Sequence, residues 1–460
     1  MKLARAFGLS KGEVVAFIGA GGKTSALVGL GYELMEQGWR VLATTTTRIG
    51  VDQLDLMPFA MRYDASPIIM SQALSDHRFV FLYDSIRQNK VFGGDGDWIR
   101  RLLDAVDSDV LLVEADGARG RLFKALKPHE PMIPSEATLV VQMAALSVLD
   151  KPLNEQYVYN PQAMHEKYGF FPETPIQAPW VAQILRDEEL GWRGAPSQAR
   201  IITFLNQVPL GQHSRQRART IARLTLKASR IDAVAIGSVR AADPIYEVQK
   251  PIGAVVLAAG LSSRMGQHKI LLPWQDGKTI IEHIVEQLVR SRLEEIVVVL
   301  GHQADAVKRL LKPYGVTCVI NKAYKNGEML VSMQTGLKAL SPRMAAALIV
   351  LGDQPRMEPR TIYKVLKAYA EGQGDIVMPS YQRRRGHPYL LDRCYWQDIL
   401  ALKTGQSARE VMNANEAAIA YVEVSNDSIL CDIDTPQDYR EERERAGLNP
   451  HLPTPPQDQS

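Results

Sequence analysis

The stretch LAAGLSSRMGQHK, Leu257 to Lys269, directly follows the apolar run that begins at Ile252. This order predicts a buried strand that enters a loop of small residues. Backbone N–H groups of such a loop can approach phosphate oxygens because little side-chain bulk intervenes. Arg264 and Lys269 add positive charge, the arginine in a form suited to bidentate phosphate contact. A solvated turn between a strand and a helix has a similar composition. Residues elsewhere in the domain are therefore needed to distinguish a phosphate-binding loop from such a turn.

A second loop of this kind, FIGAGGKTS, spans Phe17 to Ser25. It follows an apolar run and opens a helix-patterned stretch, which predicts a phosphate-binding turn at a helix N-terminus. It departs from the spacing GxxxxGK[ST], because Phe17 stands six positions before Lys23. Its spacing is similar to the shorter loops of certain ATP-dependent ligases. The candidate phosphate-binding residues are Gly19, Gly21, Gly22, Lys23, Thr24 and Ser25.

Composition limits the class of protein. A chain of 460 residues with 46% hydrophobic content is long enough for two or three domains. The net charge is 54 − 51 = +3, which favours neither a nucleic-acid nor a membrane partner. The three cysteines have no CxxC spacing, so we expect no disulfide framework and no structural zinc. With neither a signal peptide nor a long apolar span in sight, we expect a cytoplasmic protein.

Apolar runs alternate with helix-patterned stretches along most of the chain, which predicts parallel α/β sheets. The pattern is interrupted at RAADPIYEVQKP, Arg240 to Pro251, and then restarts. We therefore predict an N-terminal P-loop-like parallel α/β domain over residues 1–240. A second, Rossmann-like α/β domain is predicted over 252–440, and a disordered tail over 441–460. Residues 152–196 are less regular and predict a loop-rich or small helical insertion.

Carboxylates follow apolar runs of the second domain. Asp353 in IVLGDQP occupies the usual position of a Mg²⁺ ligand next to a triphosphate, although a lone GDxP is more often a turn. Asp432 and Asp434 in CDIDTPQDY precede a helix start, where a helix-capping role is the plainer reading. The loop, these carboxylates and RGHPYLL (385–391) occur in an order that chance rarely produces.

On these motifs, with NKAYKNGEMLVSMQTGL (321–337), the segment from Gly253 to about Tyr439 resembles the nucleotidyltransferases that include molybdenum cofactor cytidylyltransferases and guanylyltransferases. LAAG is similar to the cytidylyltransferase branch, since guanylyltransferases typically carry LAGG. The assignment of the nucleotide therefore depends on Ala259.

The resemblance implies transfer of CMP from CTP to molybdenum-bearing molybdopterin, with release of pyrophosphate. It implies catalytic roles for Arg264, Lys269 and Asp353, and Mg²⁺ bound by Asp353 with Asp434 or Asp432. The implied nucleotide-binding residues are Leu257, Ala258, Ala259, Gly260, Ser262 and Ser263. Candidates near the pterin are Asn321, Ser332 and His387. An ordinary structural role for His387 carries equal weight, and the run Arg383 to Arg385 is more readily a solvated charge run.

The first half carries its own set of motifs: GAGGKTS, TTTTR (44–48), EADGARG (114–120), KPHEPMIP (127–134) and AIGSVR (235–240). Glu114 and Asp116 end an apolar run and are candidate magnesium ligands. Together the motifs resemble the selenium-dependent hydroxylase accessory protein family. The resemblance implies a role in maturing a molybdenum hydroxylase apoenzyme. The phosphate-type loop around Lys23 makes ATP or GTP a candidate ligand of this domain.

Three other functions stay open. The second domain could transfer GMP to the same cofactor, or CMP to a sugar or polyol phosphate. From another class, the protein could be a non-catalytic cofactor carrier that uses nucleotide only to set its conformation. The intact set of Arg264, Lys269 and Asp353 speaks against a carrier, because a carrier needs no complete phosphoryl-transfer site.

Overall fold

The computed structural model describes residues 1–63, 66–94, 96–262, 264–326 and 329–450. The chain divides into two compact units, Met1–Gln249 and Lys250–Ser460. Both contain a sheet with parallel central strands and helices between the strands, so the predicted α/β class of each domain is confirmed.

The first unit has a main sheet with the strand order β14-β13-β12-β10-β1-β8-β2-β5-β4, in which only the pairing of β13 with β14 is antiparallel. The strands of the first unit, including those outside its main sheet, are β1 (Glu13–Gly19), β2 (Val41–Thr45), β3 (Arg48–Gly50), β4 (Ala60–Arg62), β5 (Phe79–Tyr83), β6 (Ser85–Arg87), β7 (Lys90–Phe92), β8 (Val110–Glu114), β9 (Phe123–Lys124), β10 (Leu139–Ala145), β11 (Val158–Tyr159), β12 (Arg200–Asn206), β13 (Ala233–Gly237) and β14 (Ile245–Gln249). Its helices are α1 (Leu3–Phe7), α2 (Lys23–Glu36), α3 (Pro67–His77), α4 (Gly96–Ala105), α5 (Pro161–Tyr168), α6 (Ala178–Leu185), α7 (Glu188–Gly191) and α8 (Gln212–Thr225).

The central strands of this sheet are buried on both faces, which explains why they read as continuous apolar runs. Strand β1 lies between β8 and β10, whereas the chain continues from β1 to β2 on the far side of β8. A change of direction of this kind leaves a crevice at the carboxyl ends of the strands. The loop after β1 and the residues after β8 therefore meet at one edge.

The predicted end of the first domain at residue 240 is too early. Strand β14 forms the antiparallel edge of the first sheet, with Val234 opposite Gln249. Buried Glu247 on this strand pairs with Arg219 of α8 at 2.7 Å. The interruption of the sequence pattern between residues 240 and 251 is thus a turn and an edge strand, because polar residues there face partners within the first unit.

The second unit has the strand order β17-β16-β15-β18-β21-β19-β20, with β22 beside β19. The order β17-β16-β15-β18, all parallel, is that of an open Rossmann-like sheet. Its strands are β15 (Ile252–Ala258), β16 (Glu295–Leu300), β17 (Thr317–Ile320), β18 (Ala346–Leu351), β19 (Ile376–Tyr381), β20 (Arg384–Arg385), β21 (Tyr389–Asp392) and β22 (Ile419–Glu423). Its helices are α9 (Ile280–Arg290), α10 (Ala304–Leu311), α11 (Met329–Ala339), α12 (Pro359–Ala370), α13 (Trp396–Ala401), α14 (Ala408–Ala414) and α15 (Pro436–Arg445).

Helix α15 extends through Arg445, so the tail predicted from residue 441 begins too early. Buried Arg443 on this helix donates hydrogen bonds to the carbonyl oxygens of Pro273 and Trp274, which holds the helix end in place. Residues 451–460, the rest of the predicted tail, lie outside the described residues.

Candidate functional site

The loop after β15 begins where three parallel strands end together. Leu257 is in register with Leu351 of β18, and Ala258 with Leu300 of β16. Ser262, at a φ of 54°, accepts a hydrogen bond from Met265 N on its carbonyl oxygen at 3.0 Å. Its hydroxyl accepts another from Lys269 N at 3.1 Å. Ser262 therefore closes the loop onto Lys269; Ser263, also predicted to bind nucleotide, lies outside the described residues.

The two carboxylate motifs meet beside this loop. Gly352 N donates to Leu257 O at 2.9 Å, which sets Asp353 next to the end of β15. Ile433 N donates to Asp353 O at 3.2 Å, which brings in the DIDTP segment. Helix α15 is capped by Thr435, whose hydroxyl accepts from Asp438 N at 3.2 Å. Because Thr435 makes the cap, the carboxylates of Asp432 and Asp434 are left for the site.

Lys269 is the centre of an ion cluster. Its Nζ contacts Asp353 Oδ2 and lies 2.9 Å from Asp434 Oδ1. The second oxygen of Asp434 accepts from Arg264 at 2.7 Å. Asp432 instead accepts a hydrogen bond from Gln354 Nε2 at 2.5 Å. The sequence-predicted cations and carboxylates are thus brought to one place.

Asp432 and Asp434, which the sequence does not distinguish as metal ligands, differ in the direction of their pKa shifts. Burial disfavours the charge of Asp434, but the hydrogen bonds and charges of Lys269 and Arg264 outweigh it and lower its pKa. Burial, and then the charge of Asp353, raise the pKa of Asp432. Three carboxylates therefore share two cations, and Asp432 carries the charge that is least compensated.

The cluster fits a magnesium ion that arrives with a triphosphate. No group of three or more His, Cys, Asp or Glu side chains among the described residues is arranged to hold a metal by itself. Mg²⁺ is commonly held by one or two carboxylates together with substrate phosphates, so a complete protein cage is not needed. Asp353 and Asp434 both converge on the ammonium of Lys269, so both can reach one cation.

A cavity of about 290 Å³ opens over the cluster. Asn321 and Ser332 lie in its wall, where Asn321 Nδ2 donates to Ser332 Oγ at 3.0 Å, so the serine orients the amide. Tyr324, Met329 and Ile270 also line the cavity and were not predicted, because the sequence shows no signal that apolar residues after a strand line a cavity. The lining residues with predicted roles are Leu257, Ala258, Ala259, Gly260, Ser262, Arg264, Lys269, Asn321, Ser332, Asp353, Asp432 and Asp434.

His387 lies apart from this group, in a second cavity of about 780 Å³. The two cavities share Leu257, Met329, Leu351 and Asp432. Burial, and then the charge of Arg409, lower the pKa of His387 to about 4, so its imidazole is neutral near pH 7. Two residues of the predicted solvated charge run, Arg384 and Arg385, also line this cavity.

The loop after β1 is held closely by its own domain. Gly19, Gly21 and Gly22 all have positive φ, at 91°, 82° and 122°. A Cβ on Gly21 would lie 2.6 Å from Ala145 N, so only glycine fits there without a backbone shift. Lys23 and Thr24 begin α2, whereas Ser25 is exposed.

Buried ion pairs surround Lys23. Its Nζ donates to Gly19 O at 2.8 Å and lies 3.1 Å from Asp116 Oδ1. The Thr24 hydroxyl donates to Glu114 Oε2 at 2.7 Å. Burial raises the pKa of Glu114, although Lys23 and Thr24 oppose that shift. The predicted phosphate-binding lysine and the two predicted metal ligands therefore contact one another.

Lys124 is a member of this network that the sequence did not reveal as functional. Its fully buried Nζ lies 3.0 Å from Asp116 Oδ2 and 3.1 Å from Glu130 Oε2. It also lies 4.6 Å from the centroid of the Tyr159 ring. One sequence feature could have predicted this role: Lys124 lies between the carboxylate-bearing motifs EADGARG and KPHEP.

The Rossmann-like sheet, the small-residue loop and the carboxylates around a lysine define the second unit as a nucleotidyltransferase-type domain. Residues 254–419 match the family model of the MobA-like NTP transferase domain, and residues 15–162 match that of the YqeC protein. The chain thus combines a YqeC domain with a MobA-like NTP transferase domain.

Three relatives are similar to parts of the chain. The uncharacterized protein YqeC of Escherichia coli (strain K12) is 29% identical over 42% of this chain and 75% of its own length. Molybdenum cofactor cytidylyltransferase of the same strain is 28% identical over 42% of this chain and 96% of its own length. Nicotine blue oxidoreductase of Paenarthrobacter nicotinovorans is 29% identical over 40% of this chain and 92% of its own length. A cytidylyltransferase and an oxidoreductase are thus about equally similar to this chain. Similarity alone does not distinguish their two chemistries, whereas the residues of the site can.

Within the part of the chain that the structure describes, no helix has the length and apolar character to span a bilayer.

Proposed function

We propose that the C-terminal domain transfers CMP from CTP to molybdenum-bearing molybdopterin, giving molybdopterin cytosine dinucleotide and pyrophosphate. The observation that carries this proposal is the convergence of Lys269, Arg264, Asp353 and Asp434 at the loop after β15. Charge of both signs within one cavity suits a triphosphate with its metal ion. The name of the cytidylyltransferase relative supports the choice of acceptor.

The reaction needs no general base. The nucleophile is the terminal phosphate of the pterin, which is largely ionised at neutral pH because the second pKa of a phosphate monoester is about 6. Its oxygen forms a bond to the α phosphorus of CTP, and the bond from that phosphorus to the oxygen bridging the β phosphorus breaks. The electron pair leaves on pyrophosphate. The protein therefore contributes alignment and charge neutralisation.

The cations divide the triphosphate between them. Arg264 is the more exposed of the two, with 69% of its side chain accessible, and suits the leaving β and γ phosphates. Lys269 lies deeper and suits the charge that develops around the α phosphate. Binding of the nucleotide replaces the carboxylate partners of these cations by phosphate oxygens.

Asp353 and Asp434 are the proposed magnesium ligands, because both contact Lys269 Nζ and so lie close together. When Lys269 pairs with a phosphate of the nucleotide, both carboxylates lose this partner and can bind Mg²⁺. Asp432, which accepts from Gln354 and lines both cavities, stands between nucleotide and acceptor. Bound Mg²⁺ would neutralise charge on the triphosphate and the leaving pyrophosphate.

CTP is preferred over GTP in this proposal because Ala259, rather than glycine, lines the nucleotide cavity. The decisive experiment incubates the full chain with molybdenum-loaded pterin, Mg²⁺ and CTP, GTP or ATP in turn. Pyrophosphate release with CTP alone, and a cytosine dinucleotide by mass, is the expected result; turnover with GTP would contradict the role of Ala259.

Two alternatives remain distinguishable in the same assay. Transfer of CMP to a sugar or polyol phosphate predicts pyrophosphate release with those acceptors and none with the pterin. A non-catalytic carrier predicts that pterin binds while no pyrophosphate appears with any nucleotide.

For the N-terminal domain we infer a phosphate-binding role, in which Lys23 and Thr24 contact the phosphates of ATP or GTP and Glu114 and Asp116 take part in binding magnesium. The contact of Thr24 with Glu114 supports it, because a hydroxyl and a carboxylate are suitable ligands for one Mg²⁺. Such a domain would assist delivery or modification of the cofactor for a molybdenum hydroxylase. The full chain should hydrolyse ATP or GTP, and Lys23→Ala should stop this; absence of binding of both nucleotides would contradict the inference.

A further inference from the structure

The second cavity has features that the nucleotide site does not use. It shares Asp432 and three apolar residues with the first cavity, so a molecule in one can meet a molecule in the other at this common wall. The remaining wall is formed by β19, β20, β21 and the helices α11 and α14. A volume of about 780 Å³ is ample for an acceptor larger than a simple phosphate ester.

Methionine side chains form much of the apolar surface of this cavity. Unbranched, polarizable thioethers adapt to a flat ring and make favourable contacts with it. The Tyr389 hydroxyl points to Met333 Sδ at 3.7 Å, so this part of the wall is already packed before a ligand enters. The methionines of the wall are Met329, Met333, Met378 and Met412.

Positive charge is concentrated on the part of the wall that the first cavity does not share. Arg384, Arg385 and Arg409 line the second cavity alone, and among the described lining residues Asp432 is the one carboxylate. Among the described residues, the carboxylate paired with Arg385 is that of Glu416 at 3.7 Å, with both side chains substantially exposed, and the Arg385 guanidinium lies 5.2 Å from the centroid of the Tyr421 ring. Because an exposed ion pair of this kind is weak, the arginines can pair with an anion on a ligand.

We propose that the second cavity is the acceptor pocket, and that Arg409 and Arg385 bind a second anionic group of the acceptor, distinct from the phosphate that attacks CTP. This inference rests on the proposed function. The attacking phosphate belongs at the common wall next to Lys269, whereas these arginines line only the other part of the cavity. For the proposed acceptor, the second group is an oxygen ligand of the molybdenum centre. Guanidinium groups donate strong hydrogen bonds to oxygen and weak ones to the sulfur atoms that metal-free pterin offers there, so the arginines select metal-loaded over metal-free pterin.

The test measures pyrophosphate release by the full chain with CTP and Mg²⁺, using metal-loaded and metal-free pterin as separate acceptors. Arg409→Gln and Arg385→Gln are compared with Arg383→Gln, an exposed residue of the same run that does not line the cavity. Loss of a charged hydrogen bond should raise KM for the metal-loaded acceptor about tenfold. The KM for CTP, the KM for metal-free acceptor and all constants of the control variant should stay unchanged.

The outcomes distinguish this inference from the proposed function. If wild-type protein releases pyrophosphate and both variants keep its preference for metal-loaded acceptor, the arginines do not read the metal and the inference is wrong. An equal loss for both acceptors also overturns it, because the arginines would then bind the ring or the phosphate. If wild-type protein releases no pyrophosphate with any nucleotide, the proposed function fails. Fluorescence titration with the two acceptors, without nucleotide, then tests the selectivity of Arg409 independently.

Discussion

The two lysine-bearing loops of this protein look alike in sequence and differ in their surroundings. In the loop at 257–269, Lys269, Asp353 and Asp434 keep 12%, 20% and 35% of their side chains exposed and face a cavity. In the loop at 17–25, the Lys23 side chain is 5% exposed, that of Glu114 9%, and those of Asp116 and Lys124 are fully buried. The charges around Lys269 face a cavity, whereas those around Lys23 are paired with one another inside their own domain. A glycine-rich loop with a lysine therefore does not by itself define an open site.

The largest expected effect comes from the open cluster. Asp353→Ala should lower pyrophosphate release by about a hundredfold or more, because it removes a ligand of the metal ion that neutralises the triphosphate. The melting temperature should hardly change, since the carboxylate is partly exposed. Asp398→Ala, an exposed aspartate of α13, is the matched control. Full activity of Asp353→Ala would remove the assignment of this metal site.

The buried cluster should respond in the opposite way. Lys124→Met leaves Asp116 and Glu130 without a shared buried cation and should cost about 3 kcal/mol of unfolding free energy. Urea unfolding measures this change, with exposed Lys90→Met as the control. Transfer activity at a temperature where the variant is folded should be retained. A loss below about 1 kcal/mol would show that Lys124 is not a central part of the network.

A pair of glycine variants compares the two loops directly. Gly21→Ala introduces a Cβ at a φ of 82° and 2.6 Å from Ala145 N, so it should destabilise the protein by about 1–3 kcal/mol. Gly260→Ala meets no atom within 4 Å and should change stability by less than about 0.5 kcal/mol. Because its methyl group faces the nucleotide cavity, it should instead raise KM for CTP. Equal stability of the two variants would contradict the contrast between a tightly packed and an open loop.

The smallest effect concerns pH. His268 is 7% exposed, and burial, then the charge of His302, lower its pKa to about 4. As pH falls, the imidazole of His268 binds a proton in the unfolded chain before it does so in the folded one. The stabilisation from the neutral, buried ring is therefore present above pH 6.5 and is lost as pH falls toward 4. Thermal melts at pH 7 and pH 4.5 measure this loss of unfolding free energy, which should be smaller in His268→Gln than in the wild-type protein by about 1–2 kcal/mol. The same slope in both proteins would exclude His268 as its source.

Much of the fold could be predicted because it depends on local patterns. The apolar runs and the helix at Ile280–Arg290 appear where periodicity indicates them, since burial of one helix face requires that spacing. The edge strand β14 was missed, because polar residues interrupt its apolar ones and the preceding residues resemble a linker. The residues of α15 beyond 440 were missed because that helix is highly polar and is held by contacts distant in sequence.

By itself, the sequence determined that two α/β units each carry a phosphate-type loop, and that the second has the complete set of Arg264, Lys269, Asp353 and Asp434. These features are encoded in short motifs whose residue types have few other uses in that order. Only the tertiary structure decided that the N-cap of α15 is Thr435 rather than Asp432 or Asp434, and that Lys23 is enclosed by carboxylates while Lys269 faces a cavity. The reason is physical: exposure and charge pairing depend on residues brought together from distant parts of the chain, and no local pattern specifies them.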